Sequence, residues 1–360
     1  MKKLIYRLLL TVNILIGVAL LISYLAVHIN PIHIAFPAFF GLAYPYLLLA
    51  NILLIIIWAM MLRLEALISL VIIIIGFNHF LNYIQLFKTR ADKGNTFKVM
   101  SYNVHLFNYL DNKRLVSQNN IYEFISTQKP DILLFQEFFT EGSPSAIRAA
   151  FNTATGLKYN SHIRMFGNGK NRYYGIVTLT RFPIINKGEV EHPGSSSLTI
   201  YSDIIINKDT FRVYNNYLQS FRLKRMERSF IAEITSNDDK ESFSEVTKNL
   251  YSRLRKGFIS RSRQAQAVKD HIKKSPYPVI VSGDFNDTPV SYAYRKIRKG
   301  LNDSFVNSGY GAGFTYKGNY PPNRIDYILY DDSLINNYFE IIKVKYSDHY
   351  PVTAFFRLRN

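Results

Sequence analysis

Pro278–Asp287 reads Pro-Val-Ile-Val-Ser-Gly-Asp-Phe-Asn-Asp. The uninterrupted β-branched run is the pattern of a short strand buried on both faces, and the polar cluster that ends it carries carboxylates and an amide. Within Asp284-Phe285-Asn286 the period of two sends Asp284 and Asn286 to one side and Phe285 to the other. Sheet folds place reacting groups at strand ends in this way.

The same construction recurs along the chain. Phe97–Tyr102 ends at Asn103, and Asp131–Gln136 ends at Glu137. Arg324-Ile325 leads into Asp326-Tyr-Ile-Leu, and Tyr346-Ser347 precedes Asp348-His349 just before the last strand. Further strands are expected at 174–180, 198–207, 210–217 and 352–358, with helices at 119–129, closed by Pro130, and 262–274, ending before Pro276. Many strands with interspersed helices, an Asn-Lys-Asp hairpin turn at 207–209 and no internal repeat suggest an α/β sandwich around paired sheets.

Singly, these residues say little. Asn103 alone reads as a turn or cap residue, Glu137 as a solvated loop carboxylate, Asp284-Phe-Asn-Asp as a turn and Arg324-Ile-Asp326 as a surface ion pair. Their order and setting carry the argument. Hard carboxylate and amide oxygens with a histidine, in a chain without cysteine, suit Mg²⁺ or Mn²⁺ rather than a thiolate zinc site. A His–Asp pair beside such a metal is an acid/base or phosphate-polarising unit. The chemistry inferred from the residues is metal-assisted attack of water on a phosphate ester.

Ser101-Tyr-Asn103-Val, Gln136-Glu137, Gly283-Asp284-Phe-Asn286, Arg324-Ile-Asp326-Tyr-Ile and Ser347-Asp348-His349-Tyr-Pro351 resemble, in order, the motifs of the endonuclease/exonuclease/phosphatase family, over about Phe97 to Leu358. Gly175–Pro183 and Arg261-Ser-Arg-Gln264-Ala are secondary likenesses. The resemblance implies an α+β fold of the deoxyribonuclease-I type, a four-layer αββα sandwich with two packed mixed sheets. It also implies Glu137 as the main Mg²⁺ ligand, with Asn103 in the same shell and Asp348 near the metal or a bridging water. By the same likeness Asp284 orients or deprotonates the attacking water, Asn286 donates to the phosphate, and His349 contacts the phosphate with Asp326 fixing its tautomer. Tyr217 departs from the family pattern, because Asn215-Asn-Tyr217-Leu stands where many members have Asn-x-His-Leu. A tyrosine hydroxyl can contact a phosphate oxygen but is a poor acid near neutrality. His105, where some family nucleases have Asp, reads as a strand-end surface histidine.

Ahead of this domain lie three uncharged apolar runs, about 8–28, 43–62 and 66–83, each long enough to cross a bilayer as a helix. They predict a membrane anchor over 1–84 with three transmembrane helices, a charged linker at 85–95 and the sandwich domain from 96 to 360. Tyr44, Tyr46, Trp58 and Tyr83 sit towards run ends, where aromatic belts form. Asn13, Asn51, Asn78 and His79 read as helix–helix contacts. Lys2, Lys3 and Arg7 favour a cytoplasmic N-terminus, so three spans would put the domain outside the cytoplasm, while Lys88, Arg90 and Lys93 pull the other way.

The charge of +18 is uneven: residues 1–92 contribute only +4, leaving +14 on the remainder. A single soluble domain and a pure multi-span transporter are both excluded. Gln219–Arg263, with eleven basic and six acidic residues, reads as a mostly helical insertion, either a solvated face or a basic lip over a polyanion. The expected function is a membrane-anchored phosphodiesterase, first a nuclease. A phospholipid or sphingomyelin phosphodiesterase, an inositol-phosphate phosphatase and a catalytically inactive membrane scaffold are the alternatives.

Overall fold

The computed structural model describes residues 2–87, 96–167, 171–192, 195, 197–221, 240–318 and 322–359. The strands are β1 (Ile84–Gln85), β2 (Phe97–Asn103), β3 (Ile132–Glu141), β4 (Asn160–Gly167), β5 (Arg172–Thr180), β6 (Ile184–Glu189), β7 (Leu198–Ile206), β8 (Asp209–Tyr217), β9 (Val279–Asp284), β10 (Asn302–Asp303), β11 (Gly311–Ala312), β12 (Asp326–Tyr330), β13 (Leu334–Ile341) and β14 (Val352–Leu358). One six-stranded sheet has the order β13-β14-β2-β3-β5-β4 and the other β10-β12-β9-β8-β7-β6.

The alternation of side chains along β2 and β3 builds the layers. Val99, Ile132 and Leu134 face inward and pack on Ile204, Val213, Ile280 and Ile328 of the second sheet. Met100, Leu133 and Phe135 face outward and are covered by Ile121 and Ile125 of the Arg114–Gln128 helix and Phe151 of Ile147–Thr155. On the far side, Val279, Val281, Tyr327 and Leu329 are covered by Ala265 and Val268 of the Lys240–Ile272 helix and Ile297 of Tyr292–Arg298. Four layers, αββα, result.

In each sheet the central pair is parallel: β2 beside β3, and β8 beside β9. Their C-terminal ends therefore share one edge. β14 and β12 run antiparallel to these pairs, so the residues that precede or begin them arrive at the same edge. Gly283 allows β9 to reach it, with φ at +133° and a position where a Cβ would stand 2.1 Å from Asn216 O of β8. Gly283→Ala is expected to destabilise the fold by about 3 kcal/mol, through clash and backbone strain together; an unshifted melting temperature would contradict this.

Several expectations are corrected. The 262–274 helix is the last third of a 33-residue helix, Lys240–Ile272, which accounts for residues 240–263 of the basic insertion; 222–239 lie outside the described residues. β4, β6 and β13 were not legible in sequence. β6 is largely exposed, and β4 is nowhere fully buried, so neither shows a clean alternation.

The N-terminal segment differs most from its reading. Among the described residues one helix, Lys3–Leu25, is long and apolar enough by itself to cross a membrane, not three. The second run, 43–62, holds one 17-residue helix, Tyr44–Met60, bent by 66° from the preceding Phe36–Leu42, and it counts as one further span only if that pair is taken together. The third is broken at Gly76 into Ala66–Ile75 and Phe77–Leu81; ten residues reach only about 15 Å of a ~30 Å hydrocarbon layer. Asn13 and Asn51 do join helices, since Ser69 Oγ lies 2.7 Å from Asn13 Oδ1 and 2.8 Å from Asn51 Oδ1. The aromatic-belt reading fails for Tyr44, Trp58 and Tyr83, which are buried: Tyr44 stacks on Tyr83, and Trp58 meets Tyr6 edge-on.

These helices dock on the sandwich. Tyr83 Oη donates to Asn323 Oδ1 (3.1 Å), Arg324 Nη1 to Asn82 O (2.8 Å) and Ser262 Oγ to Asn30 Oδ1 (2.5 Å). β1 pairs with β11, and a Cβ on Gly41 would come within 2.3 Å of Val290 O. Gln85, assigned to the linker by sequence, is thus part of the docked structure; 88–95 lie outside the described residues.

Candidate active site at the sheet edge

Asp284 ends β9 and is fully buried. Its Oδ2 accepts from Asn103 Nδ2 at 2.9 Å, a bond that ties the end of β2 in one sheet to the end of β9 in the other. Asn286 N donates to Asp284 Oδ1 (2.8 Å) and Asn286 Nδ2 to Asp284 Oδ2 (3.1 Å). The two side chains do share a side, though not by strand pleat: β9 has ended, and Asn286 turns back at φ +52°. Both amide hydrogens of Asn286 are engaged, the second by Leu218 O at 3.0 Å, so Asn286 holds Asp284 in place.

His349, buried before β14, has Nδ1 2.9 Å from Asp326 Oδ2 and Nε2 3.9 Å from Asp284 Oδ2. Asp326 is anchored by its backbone N–H to Thr315 Oγ1 (3.1 Å), and Tyr316 packs edge-on against the imidazole. Neither threonine nor tyrosine carries a sequence signal; they act only through the loop that brings them here. Burial pushes the Asp284 carboxyl up to about 7, opposed by His349 and reinforced by Asp326. Burial alone would depress His349, but the facing carboxylates of Asp326 and Asp284 outweigh it and hold the imidazole protonated well above its ordinary range.

Glu137 sits in a bulge of β3 between Phe135 and Phe138, at φ +49°. The extra residue turns its side chain into the cleft. Glu137 Oε1 accepts from Asn103 Nδ2 (3.2 Å) and Tyr217 Oη (3.0 Å). Tyr217 therefore positions the glutamate. Asp348 faces His105, with Oδ1 3.5 Å from Nδ1, and the His105 side chain is 36% exposed, so it is a surface histidine at the rim of the site. Ser347 Oγ donates to Asn103 O (2.8 Å), locking the Asp348-His349 turn to β2. Behind Glu137, Gln136 Nε2 bonds Asn215 Oδ1 (2.7 Å), and Asn215 Nδ2 bonds Phe135 O (3.1 Å), a polar bridge through the sandwich that fixes both sheet ends.

All eight singled-out residues, Asn103, Glu137, Tyr217, Asp284, Asn286, Asp326, Asp348 and His349, thus meet at one edge of the two sheets. Arg324 is no surface ion pair: it is buried against Asp303 at 2.5 and 2.7 Å.

Two donor sets invite a cation. Asp284, Asp326 and His349 offer atoms within 4.8 Å of one another, but they are buried and already turned on one another, His349 Nδ1 to Asp326 and Nε2 towards Asp284. Glu137 and Asp348 supply hard carboxylate oxygens, with Glu137 fixed by two donors; Asn103 turns its amide nitrogen to Glu137, and its Oδ1 accepts from His105 N. That chemistry fits a divalent cation such as Mg²⁺.

A two-sheet sandwich with carboxylates, amides and one imidazolium converging at a shared strand edge defines a phosphoesterase-type scaffold. The chain belongs to the endonuclease/exonuclease/phosphatase family, whose model matches residues 100–349; its members are divalent-metal-dependent hydrolases of phosphoester bonds. Residues 6–83 match a domain of unknown function (DUF8431). Similar solved structures include the human Nocturnin catalytic domain with bound sulfate (16% identity, 76% of this chain and 97% of that one, TM-score 0.53). A D. rerio TDP2 humanized by 14 mutations is similar over 73% and 100% (14% identity, TM-score 0.52). A Bacteroides thetaiotaomicron protein of the same family matches over 72% and 97% (17% identity, TM-score 0.52). No curated protein sequence matches significantly.

Proposed function

We propose that the chain is a membrane-anchored, Mg²⁺- or Mn²⁺-dependent phosphodiesterase acting on nucleic acid, with an anchor over 1–84 and the catalytic domain over 96–360. The observation that carries this reading is the continuous run of paired polar groups from Asp326 through His349, Asp284 and Asn103 to Glu137. Asp284, ionised, takes a proton from the attacking water as the water oxygen bonds to phosphorus; the P–O bond to the leaving oxygen breaks, and that oxygen takes up a proton from solvent. His349, held protonated, donates from Nε2 to the phosphate oxygen as negative charge accumulates. Glu137, Asn103 and Asp348 would hold the cation, which when bound polarises the phosphoryl oxygen. Asn103 Oδ1 already accepts from His105 N (3.0 Å), which fixes the amide orientation. The +14 over residues 93–360 attracts a polyanion. A cavity of about 170 Å³ beside Glu137, lined by Tyr174, Leu198 and Tyr217, gives a base a ring to stack on.

The domain docks at the end of the Lys2–Leu25 helix distant from Lys2, Lys3 and Arg7, through Tyr24, Val27, Tyr44, Tyr83 and Val290. With those three cations kept in the cytoplasm, this arrangement favours an extracytoplasmic domain without any count of spans.

The full chain in detergent, given plasmid DNA, RNA and short-chain phospholipids with Mg²⁺, is expected to release nucleotides. Turnover of phospholipid alone would reassign the substrate, and no turnover of any substrate would favour a scaffold. Tyr217→Phe is expected to raise the metal concentration needed for half-maximal rate about 10- to 100-fold, as loss of a ligand-orienting hydrogen bond does; an unchanged metal titration would remove Tyr217 from this role.

A further inference from the structure

A second cavity, about 630 Å³, opens where the apolar helices meet the sandwich. One wall is Val27, His28, Ile75, His79 and Asn82; the other is the 289–301 segment. That segment supplies Arg295, Lys296, Arg298 and Lys299, four cations within five residues. Like charges at such helical spacing repel, yet among the described residues no carboxylate lines the cavity. Neutral acceptors hold the guanidinium groups instead. Arg298 Nη1 donates to Asn82 Oδ1 and to Tyr294 Oη, each at 2.7 Å. Arg295 Nη1 approaches Val27 O at 3.4 Å and pairs with the His28 ring. Asp303, beyond Tyr294, is taken up by Arg324. The two guanidinium groups are thus fixed in position, and the carboxylates that act on this segment, Asp303 on Arg298 and Asp270 on Lys296, do so from outside the cavity; a lining with four cations and no carboxylate is the electrostatic form of an anion site.

The apolar side of this cavity decides which anion. Ile75 lines it and is 66% exposed, and its chain neighbours Ile74 and Phe77, around the Gly76 break, are 62% and 47% exposed. An exposed apolar face beside a basic cavity matches an amphiphile with an anionic head; a free phosphate or nucleotide would have no use for the apolar part. We propose that this cavity binds the headgroup of an anionic phospholipid, with its acyl chains along Ile74, Ile75 and Phe77. The site shares no lining residue with the cleft at Glu137. It rests on the reading that the apolar helices lie in a bilayer, and not on the hydrolytic reading.

The test uses the full chain in a neutral detergent, titrated with dihexanoylphosphatidylglycerol, dihexanoylphosphatidylcholine or inorganic phosphate, and read by thermal unfolding. Phosphatidylglycerol is expected to raise the melting temperature at concentrations where the other two do not. The Arg295→Gln/Lys299→Gln variant is expected to bind phosphatidylglycerol about thirtyfold more weakly, about fivefold for each cation removed. Because Arg295 also touches Val27 and His28, Lys296→Gln/Lys299→Gln serves as a second variant that leaves those contacts intact. Equal stabilisation by inorganic phosphate would assign the site to a free anion, and equal stabilisation by phosphatidylcholine would deny it charge selectivity; either overturns the proposal. So would unchanged affinity in both variants. Asp284→Asn should bind phosphatidylglycerol like the parent, so that failure of the catalytic reading and failure of this one remain distinguishable.

Discussion

Asp284→Asn is expected to lower the hydrolytic rate by about 10³-fold or more while leaving the fold intact. Asp284 is the junction of the site: it takes hydrogen bonds from Asn103 of the other sheet and from Asn286 in the turn after its own strand, and it faces the His349 imidazole. The amide keeps the shape but can accept no proton from water. The same substitution carries a pH signature. In the parent, folding raises the Asp284 pKa from its ordinary value to about 7, so the folded state holds this proton more tightly than the unfolded chain. Below about pH 4 both states are protonated and nothing is lost. From there to about pH 7 the unfolded state ionises first, and stability falls; above 7 the full penalty persists. An uncharged amide at this position has no such penalty. The melting temperature of the metal-free variant minus that of the parent should therefore increase between pH 5 and pH 7. A pH-independent difference would show that burial does not perturb Asp284, and a fully active variant would remove it from the reaction.

Glu137→Gln should be nearly as costly, again by about 10³-fold in rate, but through a different dependence. The carboxylate is held at the cleft by Tyr217 Oη and Asn103 Nδ2 on a single oxygen. Glutamine preserves volume and removes the charge that would bind a cation. Raising Mg²⁺ or Mn²⁺ is expected to restore part of the rate, whereas no metal concentration should rescue Asp284→Asn. Glu137→Gln with an unaltered metal titration would place the cation elsewhere, with the Asp284–Asp326–His349 cluster as the remaining candidate.

The fold was legible where the chain is buried on both faces. Val279–Asp284 and Ile132–Gln136 lie between two apolar layers, so their residues are apolar without interruption and end abruptly in polar groups. Such an ending is visible in one dimension. β6 has no such signature because much of its surface meets solvent. The candidate site was legible as a set of residue types at strand ends, but its wiring was not. That Asn103 bonds Asp284 across 181 positions, or that Thr315 fixes Asp326, depends on the packing of two sheets that no local pattern encodes. Asn286 shows the same limit: alternation gave the correct side for the wrong reason, since a left-handed turn places it. The third N-terminal run was over-read because hydropathy averages across Gly76, where the helical path breaks while the apolar composition continues, and the second because its helix, Tyr44–Met60, is 17 residues long and falls just short of a span by itself.

The docked helices have a consequence for how substrate is found. Asn82, Tyr83 and Gly41 grip the segments that flank Asp326 and Asn286, so the candidate active-site edge is not on a tether and has no radius through which to swing. With the helices in a bilayer, the edge would stay at one fixed height and one fixed tilt above the lipid. Turnover would then be governed by substrate density per unit area in a thin layer at that height, and the surrounding volume would count only as the reservoir that fills it.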